Sequence, residues 1–181
     1  MPRLNETVKG VLLAIVAGLL LAGCAVFRPS QTAEEFRREA SASLLPRTGA
    51  IEVDRSLDDV AATFAKNAPE CLEGTTTATT KTITARREII RTYVTTYKPR
   101  VVVSPQRVEL HVQWHTDGEI HVSPVPEGGA YRLVADAYPV GDNRTRLQWF
   151  DVTAGQDFLL DAVKGWATGQ NMECPDLTKN W

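Results

Sequence analysis

Apolar positions recur with two different periods along the chain, and the change of period divides it. Leu57, Val60, Ala61, Phe64 and Ala68 follow the i, i+3, i+4, i+7 spacing of one buried helix face. Ser56 stands before them as an N-cap, with Asp59 at the third helical position. Pro69 is predicted to stop this helix. From Thr75 to Trp149 the chain is rich in Thr, Val, Ile and Tyr, a composition that fits a pleated surface. Strands are predicted near 76–85, 87–97, 100–103, 107–115, 119–124, 130–138 and 144–151, after a first short strand around Ile51 and Val53. The helical period returns from about Ala154 to Gly169, where Phe158, Leu159, Ala162, Val163 and Trp166 form an apolar stripe. Near the N-terminus, Thr32 followed by Glu35 is a capping-box pattern. It opens a polar helix over Ala33–Ala42 with Phe36 as its one large apolar residue, expected to be loosely held.

Alternation also predicts register. Val108, Leu110, Val112 and Trp114 share a face. A three-residue loop Thr116-Asp117-Gly118, with Gly118 in the left-handed region, would bring Ile120 and Val122 to that face and set His115 opposite Glu119. Gly141-Asp142-Asn143 is the corresponding loop between Tyr131–Val140 and Arg144–Val152. It would align Leu133, Ala135 and Ala137 with Leu147 and Trp149.

The N-terminus reads as an address. Val11 to Val26 carries no charge, and its sixteen residues fall short of the roughly 18–20 of a permanent span. They have the size of a signal-peptide apolar region. The run closes on Leu21-Ala22-Gly23-Cys24, which resembles the lipobox of bacterial lipoproteins. That resemblance covers residues 1–24. It implies cleavage before Cys24, acylation of Cys24 and a membrane anchor made of its acyl chains. Ala25 stands where an Asp would signal retention in the inner membrane, so the resemblance implies the outer membrane, with the protein facing the periplasm.

Three segments follow: a signal peptide at 1–23, a lipidated tether with a short helix at 24–49, and one α+β domain at 50–181. The mature chain has 158 residues and a formal charge of −3. That balance excludes a dedicated nucleic-acid binder, and 43% hydrophobic residues exclude a disordered chain. In the oxidising periplasm Cys71 and Cys174 are a natural disulfide pair.

The predicted fold is α+β, an antiparallel sheet packed against an early helix and a C-terminal helix. This element order resembles the helix-grip arrangement of START-like proteins, with one early helix where that family has two. The mature chain also resembles small uncharacterised proteobacterial lipoproteins that pair Cys71-Leu72 with Trp166-Ala167-Thr168-Gly169…Cys174-Pro175. That resemblance implies no activity.

Candidate chemistry is sparse. His111, His115 and His121 fall on one polar strand face with Glu119, the residue types of a zinc site. Strand alternation on a solvated face accounts for the same spacing. Asp136 lies mid-strand on the outer face, where a cross-strand pair with Arg146 would neutralise it. Arg86, Arg87, Arg91, Lys98 and Arg100 make a basic stretch suited to anionic lipid or an acidic partner. Gly128-Gly129 lacks the flanks of a phosphate loop. Trp114, Trp149 and Trp166 fall on predicted buried faces.

These features point to a membrane-anchored accessory or binding lipoprotein of the cell envelope, not an enzyme, with no cofactor and a protein of the envelope as its partner. A carrier of a small apolar molecule between sheet and terminal helix is the alternative reading. A His-based metal-dependent hydrolase is the third.

Overall fold

The computed structural model describes residues 28–44, 46–83, 87–118, 124–152 and 157–180. Residues 1–23, expected to be a signal peptide, and Cys24, Arg86, Glu119 and His121 lie outside the described residues. The strands are β1 (Arg47–Val53), β2 (Gly74–Ile83), β3 (Glu88–Ser104), β4 (Arg107–Thr116), β5 (Ala130–Gly141) and β6 (Arg144–Asp151). They form one curled antiparallel sheet in the order β1-β6-β5-β4-β3-β2. Three helices pack on it: α1 (Ala33–Ala42), α2 (Leu57–Leu72) and α3 (Asp157–Thr168). A 3-10 turn, Leu177–Asn180, closes the chain against β2.

The sheet has helices on both faces. On the inner face Val108, Leu110, Val112, Leu133, Ala135, Ala137 and Leu147 are buried beneath Val60, Phe64, Ala68 and Leu72 of α2 and Val163 and Trp166 of α3. The expected alignment of β5 with β6 is present, with Ala135 opposite Trp149 and Ala137 opposite Leu147. On the outer face α1 sets Ala33, Phe36 and Ala40 on Val134 and Phe150. The helix expected to be loosely held is therefore docked. Thr32 caps it through the Glu35 amide at 3.1 Å, and the Glu35 carboxylate reaches back to the Gln31 amide at 2.7 Å.

Other expectations need correction. α2 runs through Pro69 to Leu72. Proline removes one helical bond, to the carbonyl of the exposed Ala65, while Ala68 and Leu72 on either side are fully buried and hold the last turn. The strands expected at 87–97 and 100–103 are one strand, β3. Pro99 sits past the last β2 pair, Gly74 with Tyr97, where β3 is itself a sheet edge that tolerates proline. The described neighbours of β4 are β3 and β5, and the strand expected at 119–124 falls almost wholly outside the described residues. Residues 119–123 lie outside the described residues, and Pro124 onward forms the connection to β5.

The β5–β6 turn is also shorter than expected. Gly141 pairs with Arg144 across Asp142-Asn143, and a register shift between Pro139 and Gly141 restores the common face. Gly118 has φ +83, the left-handed geometry expected of it.

The expected disulfide joins Cys71 to Cys174, with Cα atoms 4.9 Å apart. It ties the C-terminal tail to the end of α2. Met172 lies against Gly165 on the way, where an added Cβ would collide with its side chain.

Candidate functional site

The outer face of β4 and β5 carries polar side chains by simple alternation: Glu109, His111 and Gln113 on one strand, Asp136 and Tyr138 on the other. The sequence reading left them in solvent, and α1 removes them from it. His111 is 7% exposed and Asp136 is fully buried. Asp136 stands opposite Glu109 on one side and Gln148 on the other, not opposite Arg146. Two carboxylates side by side under a helix require a cation.

Arg37 of α1 supplies it. Its Nε and Nη2 donate to the two carboxylate oxygens of Asp136, each at 2.7 Å, a fork-to-fork pair. Nη2 also donates to Glu109 Oε2. Arg107 Nη2 lies 2.6 Å from the other Glu109 oxygen, and His111 Nε2 lies 3.0 Å from Oε2. The Tyr138 hydroxyl reaches Asp136 at 3.4 Å. Every carboxylate oxygen in the cluster thus has a partner on the chain. The arrangement fastens α1 to the sheet.

Charge states follow from these contacts. Burial lowers the Arg37 guanidinium pKa, but Asp136 and Glu109 more than reverse that and raise it above its usual range. Burial pushes the Glu109 carboxyl up, and His111, Arg37 and Arg107 together hold it below its ordinary value. Burial pushes His111 down, by more than Glu109 raises it, so the ring is neutral at pH 7. A base with a lowered folded-state pKa binds fewer protons folded than unfolded. Its contribution is whole above the unfolded value of 6.5 and shrinks as pH falls below it. Thermal midpoints are expected to fall between pH 7 and 5. His111→Asn should flatten that limb, leaving the Glu109 limb, which begins below pH 4.5. Identical pH profiles for the two proteins would refute the assignment.

His111 and His115 stand in different surroundings. His111 belongs to the latch. His115 is half-exposed, with Nε2 3.4 Å from Asp117, and the expected partner Glu119 lies outside the described residues, as does His121. Among the described residues no three His, Cys, Asp or Glu side chains converge as a metal site.

Beside the latch, the outer face of β3 and β4 is open. The Pro124–Gly129 segment crosses it as a rim. Gln113 Nε2 holds that rim by donating to the carbonyls of Glu127 and Gly129 at 3.0 and 2.9 Å. Gly129, at φ +104, is pressed so closely on β4 that a Cβ would strike the Trp114 carbonyl. A shallow groove of about 350 Å³ runs along the rim past Thr96, Lys98 and His115. It continues to Arg100 and Glu127.

The basic stretch is divided by the fold. Lys98 and Arg100 face this groove, whereas Arg87 and Arg91 stand far out on the β2–β3 hairpin. Of the tryptophans, Trp166 is fully buried. Trp114 and Trp149 are half-buried under cations, Arg132 at 3.0 Å and Lys164 at 4.4 Å from the ring centres. Among the described residues no helix is long and apolar enough to cross a membrane.

Sequence reasoning missed Arg37. Its signal is the set Ala33, Phe36, Arg37 and Ala40, an i, i+3, i+4, i+7 stripe in which an arginine occupies a core position.

No protein-family model matches the chain, and no curated protein or solved structure shows significant similarity to it.

Proposed function

We propose that the protein is a lipid-anchored lipoprotein of the bacterial cell envelope, held in the outer membrane facing the periplasm, and that it serves as a non-enzymatic accessory or binding module. The observation that carries this reading is the cysteine arrangement. Cys71 and Cys174 are joined, which fits an oxidising compartment. Cys24 is the one cysteine left over, and it closes an uncharged run as Leu21-Ala22-Gly23-Cys24.

The outer-face cluster supports a binding role over catalysis, because its carboxylates are consumed by Arg37, Arg107 and His111. The carrier reading would need room between the sheet and α3. Trp166 of α3 is fully buried against the sheet's inner core. The open, rimmed groove beside Lys98 and Arg100 is the better place for a protein partner of the envelope to make contact.

The test is mass spectrometry of the full chain expressed in a bacterial envelope and extracted with detergent. The expected species begins at Cys24, carries a diacylglyceryl and an acyl group, and lacks residues 1–23. Cys24→Ser should remain unacylated and uncut. A mature chain beginning elsewhere, or an unmodified Cys24, would end the lipoprotein reading.

A further inference from the structure

The pairing of β4 with β3 ends at Thr116 opposite Thr95, yet β2 and β3 continue paired to Ile83 opposite Glu88. Among the described residues, 88–94 of β3 and their β2 partners therefore extend past the sheet as a two-stranded arm. Seven residues at about 3.3 Å each give an overhang of about 23 Å. A free two-stranded ribbon is marginal in water and exposes both faces. Its described end carries Ile83 at 76% and Ile90 at 62% exposure. Around them stand Lys81, Arg87 and Arg91 against one acid, Glu88, which Lys81 meets at 2.8 Å.

The chain enters the domain at this same end. Gln31 Nε2 donates to the Pro124 carbonyl at 2.9 Å, in the connection that leaves the end of β4. The Asp117 amide, just past β4, donates to the Val94 carbonyl at 2.8 Å, at the root of the arm. From Gln31 back to Cys24 there are seven residue steps, a reach of at most about 25 Å. The tether and the arm start from one end of the sheet and have matching lengths.

Resting on the lipid anchor at Cys24, we propose that the described end of the β2–β3 arm is a second membrane contact, in which Arg87 and Arg91 meet anionic lipid headgroups and Ile83 and Ile90 enter the interface. Two exposed isoleucines beside cations are the composition of an interfacial element. One acylated cysteine leaves the domain free to swivel. A second contact about 23 Å from the sheet end sets its orientation.

The test uses the full lipidated chain in vesicles of phosphatidylethanolamine and phosphatidylglycerol, three to one by design, with a trace of phosphatidylglycerol bearing a photoreactive headgroup. Peptide mapping after illumination is expected to place label on the arm, between Lys81 and Arg91. Each near-surface arginine is worth about fivefold in occupancy, so Arg87→Gln with Arg91→Gln should reduce arm labelling by up to about twenty-five-fold. Replacing phosphatidylglycerol with phosphatidylcholine, the photoreactive lipid included, should act in the same direction. The mass of the Cys24 peptide is read from the same digest. An acylated Cys24 with an unlabelled arm overturns the membrane contact and leaves the anchor standing. Label on the arm that the double variant does not reduce overturns the headgroup recognition. An unmodified Cys24 overturns the anchor, and this inference with it.

Discussion

Arg37→Ala is expected to destabilise the protein by about 3–5 kcal/mol, the cost of leaving buried charge without its partner. The side chains of Arg37 and Asp136 are 11% and 1% exposed, so solvent cannot replace the guanidinium. Two carboxylates, Asp136 and Glu109, would face each other beneath α1 with Arg107 as the remaining cation on Glu109. Urea denaturation at pH 7 measures the loss. Amide exchange should also show α1 opening first, because among the described residues its apolar cluster is small: Ala33, Phe36 and Ala40 on Val134, Phe150 and Tyr131. Asp136→Asn in the Arg37→Ala background should recover part of the stability by removing one of the two charges. A loss under about 1 kcal/mol for Arg37→Ala, the scale of a surface ion pair, would mean that α1 does not depend on this latch.

Removing the disulfide by Cys71→Ser with Cys174→Ser is expected to cost up to about 4.7 kcal/mol, the chain-entropy value for a closed loop near one hundred residues. The separation here is 103 positions. The tail would feel it first. Without the bond, Met172 against Gly165 and Leu177 against the core are its remaining apolar contacts among the described residues. The tail closes against β2, so the base of the projecting arm should gain exchange as well. Urea midpoints with and without reductant measure the cost, and limited proteolysis after residue 169 reports the local release. Equal midpoints would show that the tail is held by packing alone.

The two predictions divide along what was legible. The cysteine pair was readable because, once Cys24 is read as the lipobox residue, two cysteines are left and they have one pairing. The inner face was readable for a similar reason. Val108, Leu110 and Val112 alternate strictly, and a one-residue slip would put all of them in water. The latch was not readable. Glu109, His111 and Asp136 occupy positions that alternation assigns to the far face, and alternation cannot say whether that face meets solvent or another helix. The α1 stripe is short and half small residues, so the pattern that buries Arg37 is also that of an exposed helix. The Pro69 stop failed because a local rule met a stronger tertiary demand, the burial of Ala68 and Leu72 on either side.

Local chemistry along the chain determined the elements, the inner core and the cysteine arithmetic, since periods of 3.6 and 2 and a shortage of partners act at close range. Tertiary structure decided what covers the second face of the sheet, which carboxylates are neutralised by which cation, and how far β2 and β3 run past their neighbours. These depend on where segments about a hundred residues apart meet, as Arg37 and Asp136 do. The energy that selects such meetings is the cost of burying charge, which is defined only once the chain has closed around it.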